Sequence, residues 1–117
     1  MYNYHQLDPE QCEFVAVAST AEIPSGERLF LEVDRQPIVV FNIAGRYFAI
    51  GDVCSHDNGP LGEGDLEGFE IHCPRHGASF DVRTGKVLTL PAIVDIPAYP
   101  TRVVEGQVEI GLPVEGE

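Results

Sequence analysis

The sequence predicts an all-β fold, an antiparallel sandwich or small barrel, on the basis of two observations. Apolar residues occur in short alternating or continuous runs of the length that β-strands have. Twelve glycines and nine prolines supply turn signals between most of these runs. Short strands with frequent turns are typical of sandwiches and barrels. The length of 117 residues favours one domain, expected to span residues 1–117.

The first part of the chain predicts two strands after a polar arm at residues 1–11. Cys12–Ala18 alternates as a half-buried strand does. Pro24-Ser25-Gly26 is a turn signal, and Arg28–Asp34 carries enough Leu, Phe and Val for a strand with one buried face. We interpret Cys12 as a small buried residue on the first strand, with a disulfide or an extra metal ligand as alternatives.

A hairpin is predicted next. Pro37–Asn42 and Tyr47–Ile50 are apolar runs, and the segment between them, Ile43–Arg46, contains a glycine that tolerates positive φ. The second run leads directly into residues 51–53 and a cysteine-containing segment.

The central part predicts a loop followed by short strands. Residues 55–68 are rich in Gly, Asp, Glu and Asn and show no periodicity. Phe69–His72 alternates as a short strand, and Ala78–Val82 is the expected return strand. Thr84-Gly85 then forms a turn, from which Lys86–Leu90 leads away.

The tail predicts one more hairpin. Prolines alternate there with β-branched residues, and Thr101–Val104 and Gln107–Leu112 are joined at Glu105-Gly106. The sequence shows no repeat, low-complexity tract or linker.

Two short stretches carry the chemistry: Cys54-Ser55-His56 and Cys73-Pro74-Arg75-His76. Together they form the pattern C-x-H-x16-C-x2-H. Thiolates and imidazoles are the ligands that iron–sulfur clusters and zinc prefer, so the pattern indicates a metal centre. Each stretch lies between a predicted strand and a turn-rich segment, where a sheet fixes the loop ends.

Charge and hydropathy exclude several function classes. The formal charge is −12, from 19 acidic and 7 basic residues, which disfavours binding to nucleic acid or anionic membrane. The charge is consistent with steering toward a basic partner or with solubility alone. No apolar run approaches the about 20 residues of a membrane span, and the N-terminal residues lack a signal-peptide pattern. We therefore expect a cytoplasmic location, where thiols stay reduced.

The two stretches resemble the Rieske iron–sulfur signature, and the wider sequence is similar to the ferredoxins of ring-hydroxylating dioxygenase systems. The residues that carry the resemblance are Cys54–Gly64, Cys73–Asp81 and Arg83–Val87. The resemblance implies a Rieske-like sandwich with a cluster-binding part at about residues 52–81. It implies one [2Fe–2S] cluster, with Cys54 and Cys73 on one iron and His56 and His76 on the other.

The same resemblance implies an electron carrier that is not catalytic alone. Its expected partners are a flavin-dependent reductase, which supplies single electrons, and a terminal non-haem iron oxygenase, which accepts them. No nucleophile–base pair is evident in the sequence. Two alternatives stay open at this point: a small Rieske subunit of a nitrite-reductase-like system, and a zinc-stabilised interaction module.

The neighbours of the ligands predict a low reduction potential. High-potential Rieske proteins carry a disulfide between the loops, but here the corresponding places hold Pro60 or its neighbours and Arg75. Their cluster-stabilising Ser and Tyr hydroxyls are replaced by Ala78 and Phe80. Fewer donors leave the reduced state less stabilised, so we expect about −150 mV, unless Ser79 donates to the cluster.

Other polar residues are given structural interpretations. His5 is expected to be exposed, and His72 to be half-buried or on the surface, pointing away from Cys73. An acidic run is interpreted as a solvated face that could also dock a partner; it comprises Asp52, Asp57, Glu63, Asp65, Glu67 and Glu70. Three cations lie near the second stretch in sequence: Arg75, Arg83 and Lys86.

Overall fold

The computed structural model describes residues 10, 12–55, 59–74, 77–90, 92 and 94–113. Within these residues, eleven strands form three antiparallel sheets. The strands are β1 (Cys12–Ser19), β2 (Arg28–Val33), β3 (Gln36–Ile43), β4 (Arg46–Gly51), β5 (Leu66–Glu67), β6 (Glu70–His72), β7 (Ser79–Asp81), β8 (Val87–Thr89), β9 (Ala98–Tyr99), β10 (Thr101–Val104) and β11 (Gln107–Pro113). This confirms the predicted all-β class.

The sheets have the strand orders β1-β11-β10, β2-β3-β4-β9 and β5-β6-β7-β8. The predicted hairpins are present. β3 pairs with β4 around Ala44 and Gly45, which have φ of 55° and 88°, and β10 pairs with β11 around Glu105 and Gly106, with φ of 51° and 78°. A left-handed backbone at both loop positions fits a type I′ turn, whose twist matches that of paired strands.

The middle sheet separates two hydrophobic cores. Ile38 and Val40 of β3 pack into a core with β1 and β11, whereas Val39 and Phe41 pack into a second core with the small sheet β5-β6-β7-β8. All four side chains are at most 1% exposed. The uninterrupted apolar run in this strand therefore reflects burial on both faces, since successive side chains point to opposite sides of a sheet.

Four details differ from the sequence-based expectations. A short 3-10 helix spans Thr20–Glu22, and two-residue strands β5 and β9 lie where no strand was predicted. Segments this short carry too few residues for a periodic pattern. The segment Val87–Thr89 does not lead away but pairs with β7, with Phe80 opposite Val87.

Cys12 lies on β1 as predicted, opposite Pro113 in the register of β11, but it is half-buried and not fully buried as expected. This position is in a different sheet from the segments that hold Cys54 and Cys73. His5 lies outside the described residues, and so does Asp57 of the acidic run.

Candidate metal centre

Cys54 is held at the end of β4. The strand end is fixed by pairing of Ile38 with Gly51 and by the Asp52 amide, which donates to the carbonyl oxygen of Pro37 at 2.9 Å. The amide of Cys54 donates to the carbonyl oxygen of Gly59 at 2.8 Å, which closes the loop between them. Cys54 is fully buried. Its position is thus set by the paired end of β4 and by the hydrogen bond to Gly59.

Cys73 directly follows β6 and begins the loop that connects β6 with β7. Its amide donates to the carbonyl oxygen of Ala78 at 2.6 Å, and the amide of Gly77 donates back to the Cys73 carbonyl at 3.1 Å. Gly77 has a φ of 80°, which a residue with a side chain adopts only with strain. Cys73 is 3% exposed.

The two cysteine loops lie against each other. A methyl group built on Gly64 would overlap the carbonyl oxygen of His72, so only glycine fits here between the first loop and the strand that leads to Cys73. The amide of His72 donates to the carbonyl oxygen of Asp65 at 2.9 Å, which links the two segments directly. Both cysteines belong to the same hydrophobic core. The fold therefore brings together the two predicted sulfur ligands.

The predicted nitrogen ligands, His56 and His76, lie outside the described residues. They follow Cys54 by two positions and Cys73 by three. Their role as ligands stays a prediction. The two cysteines, buried in one hydrophobic core on adjoining loops, suit a thiolate-ligated centre, because soft sulfur ligands select iron–sulfur clusters and zinc.

Three consecutive residues after the second loop occupy different environments. Ala78 and Phe80 are fully buried in the core that contains both cysteines. Ser79 is also fully buried, but its hydroxyl lies 2.8 Å from Oε2 of Glu70, to which it donates, and 2.9 Å from Oγ1 of Thr89. The Ser79 hydroxyl is therefore engaged with β6 and the end of β8 in the small sheet.

Residues 94–97 form a third segment beside the cysteine loops, which the sequence reasoning missed. The hydroxyl of Ser55 donates to the carbonyl oxygen of Val94, and the amide of Ile96 donates to the carbonyl of Gly85 at 2.8 Å. The amide of Val87 donates to Oδ1 of Asp95 at 2.9 Å. A cavity of about 390 Å³ lies between this segment and the first loop. The available sequence signal was an apolar stretch bounded by Pro91 and Pro97.

The acidic run is only partly a solvated face. Glu63, Asp65 and Glu67 are exposed as expected. Asp52 departs from the expectation, because its Oδ1 is half-buried within the first loop and accepts hydrogen bonds from the amides of Leu61 and Gly62 at 2.9 and 2.6 Å. The Asp52 carboxylate, two residues before Cys54, thus stabilises the backbone of the first loop.

Glu70 likewise has a structural partner, since it accepts the hydrogen bond from Ser79. His72 is half-buried as predicted, with Nε2 at 3.5 Å from Oε1 of Glu67.

The two described cations near the second loop are both exposed, and Arg83 also forms an ion pair. Arg83 pairs with Asp81 at 2.9 Å, and its guanidinium carbon lies 4.4 Å from the ring centroid of Phe69. The side-chain hydrogen bond from Arg83 lowers the pKa of the Asp81 carboxyl from its ordinary value, and partial burial opposes this effect. Lys86 is exposed. Arg75 lies outside the described residues.

Comparison with known proteins identifies the family. The profile of the Rieske [2Fe–2S] domain matches residues 13–100, which include both cysteine loops and their predicted histidines. The chain belongs to the Rieske [2Fe–2S] family. A member of this family carries a [2Fe–2S] cluster, and the buried pair of thiols in this structure fits that group.

Several relatives and structural neighbours of this Rieske protein are ferredoxin components. It is 43% identical over 95 residues to the 3-phenylpropionate/cinnamic acid dioxygenase ferredoxin subunit of Escherichia coli strain K12, covering 80% of this chain and 88% of that protein. The ferredoxin of carbazole 1,9a-dioxygenase from Nocardioides aromaticivorans IC177 superposes with a TM-score of 0.78 at 30% identity, covering 83% of this chain and 95% of that chain.

The Sphingomonas yanoikuyae B1 ferredoxin also has a TM-score of 0.78 at 30% identity, covering 86% of this chain and 100% of that one. A complex of reduced oxygenase and oxidised ferredoxin in carbazole 1,9a-dioxygenase contains a chain with the same score at 28% identity; the match covers 89% of this chain and 97% of that one. Among the described residues of our Rieske protein, no helix is long and apolar enough to cross a membrane.

Proposed function

We propose that this protein is a low-potential Rieske ferredoxin that carries single electrons from a flavin-dependent reductase to a terminal non-haem iron oxygenase. The observation that carries this proposal is the pair of buried cysteines on two interlocked loops of a Rieske domain. Its relatives with known roles are ferredoxin subunits of aromatic dioxygenase systems, so it is an electron-transfer component and not an enzyme by itself. A cytoplasmic location stays a prediction.

The proposed ligands are Cys54 and Cys73 on one iron and His56 and His76 on the other. Each loop then contributes one sulfur and one nitrogen ligand, so the bound group links the loops that Gly64 and His72 already bring into contact. When bound, the cluster stores and releases one electron, and with two thiolates and two neutral imidazoles its oxidised form has no net charge. The protein's own contribution is to hold four ligands in place and to exclude water from the two sulfur atoms.

An apolar surface adjoins the loops and suits contact with the oxygenase. Leu88, Leu90 and Val94 are 44%, 75% and 39% exposed. Val94 is tied to the first loop through Ser55, and Thr89, between the two leucines, lies with Oγ1 3.4 Å from the carbonyl oxygen of Gly77 in the second loop. Exposed apolar side chains favour a protein partner because contact removes them from water. A partner that covers Val94 would lie next to the first ligand loop, and one that covers Leu90 would lie beside the end of β8 that reaches the second loop.

The ligand assignment is tested by replacing each cysteine in turn. We expect Cys54→Ser and Cys73→Ser proteins to lose the visible absorption and the reduced-state EPR signal of a Rieske cluster, because a ligand to the sulfur-bound iron is removed. Cys12→Ser is the matched control and should keep both signals. A colourless wild-type protein containing zinc would refute the proposed function in favour of the zinc-stabilised module.

The carrier role is tested by stopped-flow oxidation of the reduced protein by a terminal oxygenase purified from the same cells. Leu90→Asp should slow electron transfer at least about tenfold, since burying a charge in an apolar contact is costly, and this effect should exceed that of the small fall in potential caused by the added negative charge. Val103→Asp, a substitution at an exposed apolar residue of β10, should transfer electrons at the wild-type rate. Equal rates for Leu90→Asp and the wild type would exclude this surface as the docking site.

A further inference from the structure

The segment at residues 59–65, which completes the first ligand loop, is held by two charged side chains of opposite sign. Asp52 binds its amide side: Oδ1 accepts from the N–H groups of Leu61 and Gly62 at 2.9 and 2.6 Å. A carboxylate that accepts two backbone hydrogen bonds makes a stronger contact than a neutral acceptor. These bonds join the residues that follow the loop cysteine to those that precede it.

Arg28 binds the carbonyl side of the same segment. Its Nη1 donates to the carbonyl oxygens of Gly62 and Gly64 at 2.5 and 2.9 Å. Arg28 belongs to β2, more than 30 residues earlier in the chain, and its guanidinium carbon lies 5.1 Å from the ring centroid of Phe41. The stacking and the half-buried position restrict the side chain, so it acts as a fixed donor.

The segment held in this way has little room to move. Leu61 is fully buried, a methyl group at Gly62 would press on Phe30 and Val39, and one at Gly64 would overlap the His72 carbonyl. Gly64 therefore transmits the position of the first loop to the backbone next to Cys73. Arg28 and Asp52 are thus two charged side chains whose hydrogen bonds reach this segment.

We propose that Arg28 and Asp52 are positioning residues that clamp the first ligand loop onto the second, keep the metal centre closed and set its redox potential with opposite signs. The inference rests on the proposed function only for the redox part. The clamp acts on the loop whichever metal the loop holds. Neither residue belongs to the Cys/His pattern, so both are additional to the proposed ligand set.

The clamp is tested first by hydrogen exchange with mass spectrometry on the protein as purified. Loss of a hydrogen bond to a charged group costs about 1.5–3 kcal/mol. In Arg28→Gln and Asp52→Ala, the amide hydrogens of peptides covering residues 59–65 should therefore exchange at least about tenfold faster than in the wild type. In both variants a chelator should also remove the metal centre faster by a similar factor, as measured by the loss of visible absorption. Asp52→Asn keeps an acceptor oxygen and should show a smaller increase in both rates.

Arg102→Gln is the matched control. Arg102 also stacks on a phenylalanine, with its guanidinium carbon 4.1 Å from the Phe14 ring centroid, and also binds a carboxylate, Glu109, at 2.7 Å. It lies in the sheet β1-β11-β10, away from the ligand loops. This variant should leave loop exchange and bleaching at wild-type rates.

Voltammetry distinguishes an effect of the two charges on the reduction potential from a role that is only structural. Removal of a positive charge near the centre disfavours electron uptake and removal of a negative charge favours it. Arg28→Gln should therefore lower the potential and Asp52→Asn should raise it, with the double variant near the wild type. Arg28→Lys keeps the charge without the two-carbonyl geometry, so its potential should stay at the wild-type value while loop exchange accelerates.

Unchanged exchange of residues 59–65 in both Arg28→Gln and Asp52→Ala would overturn the clamp. Potentials that move in the same direction in Arg28→Gln and Asp52→Asn would overturn the charge effect. If Arg28→Gln does not fold, the exchange of Arg28→Lys and Asp52→Asn decides, because both variants keep one feature of the original side chain. If the protein lacked a redox-active cluster, the proposed function would be refuted. The hydrogen-exchange rates would still test the clamp in that case.

Discussion

The alternation of side chains along residues 78–80 decides which groups lie in the core with the two cysteines. Side chains alternate across a strand, so Ala78 and Phe80 enter the core with both cysteines while the Ser79 hydroxyl is used by Glu70 and Thr89. A hydroxyl nearby in sequence is therefore not a donor available to the cluster. This supports the prediction of a potential near the lower end of the Rieske range, about −150 mV.

Adding a hydroxyl at the adjoining positions should raise that potential. Ala78→Ser and Phe80→Tyr each place an O–H donor in the core that contains the thiols, and a donor stabilises the reduced, more negative cluster. Protein-film voltammetry measures the shift. Ser79→Ala is the control: its potential should match the wild type, while urea unfolding should show a loss of about 1–3 kcal/mol, because Glu70 loses its donor. A large potential change in Ser79→Ala would show that Ser79 does reach the cluster.

At the level of elements, the turn after β7 connects the small sheet to the segment that adjoins the cysteine loops. Gly85 has a φ of 79°, its amide donates to the Asp81 carbonyl at 2.7 Å, and its own carbonyl accepts from Ile96. A methyl group at Gly85 would overlap the Ile96 carbonyl oxygen. The turn therefore has both a conformational and a packing requirement for glycine.

Gly85→Ala should consequently destabilise the protein far more than Gly45→Ala. Gly45 has a similar φ of 88°, but a methyl group there would meet no atom within 4 Å. We expect the control to cost about 1 kcal/mol, from backbone strain alone. Gly85→Ala should cost several times as much and weaken protection of residues 94–97. Urea unfolding and hydrogen exchange measure the two effects, and equal losses for both variants would show that residues 94–97 adapt freely.

The same turn contains the ion pair whose pH dependence is predictable. The pKa of Asp81 is lowered in the folded state, first by its hydrogen bond from Arg83, so its stabilising effect is present above the unfolded-state pKa and is lost as pH falls through the folded-state value. Asp81→Asn should therefore be less stable than the wild type at pH 5–7, by a constant amount, and the difference should shrink below about pH 4. Chemical unfolding at each pH measures it. A stability difference that grows toward low pH would contradict this sign.

On the scale of the whole molecule, only some of the carboxylates behind the net charge of −12 are free to act at long range. Asp52 and Glu70 are engaged in structural hydrogen bonds, so among the described residues of the acidic run the exposed carboxylates beside the first loop are Glu63, Asp65 and Glu67. Long-range attraction to a basic partner acts through such exposed groups and is screened over about 10 Å at 0.1 M salt.

Electron transfer from the reductase should therefore slow as ionic strength rises. The triple variant Glu63→Gln, Asp65→Asn, Glu67→Gln should be slower than the wild type at low salt and equal to it at high salt. A control with three exposed carboxylates neutralised elsewhere, Glu13→Gln, Glu32→Gln and Glu105→Gln, should keep most of the salt dependence. Stopped-flow kinetics measure both. Equal salt dependence in the wild type and the first triple variant would assign these charges to solubility alone.

Most strands and the metal pattern were predictable because their signals are local. Alternation, the glycines of the hairpin turns and the C-x-H-x16-C-x2-H spacing are all present within limited windows of sequence. The two-residue strands β5 and β9 were not predictable, because they are too short to show a periodic pattern. The pairing of β8, the pairing of β9 and the contacts of residues 94–97 depend on partners outside the local window of sequence. Asp52 was misinterpreted as part of a solvated face for the same reason: its partners are backbone amides nine and ten residues later.

By itself, the sequence determined the all-β class, the two hairpins, the Rieske resemblance and the identity of the cysteines and histidines proposed as ligands. Tertiary structure alone decided that β3 separates two cores, that Gly64 locks one cysteine loop onto the other, and that Arg28 and Asp52 bind the first loop from opposite sides. The physical reason is that a ligand's chemistry belongs to its residue type. The position of a loop, in contrast, depends on hydrogen bonds and packing contacts between segments that meet only in the folded chain.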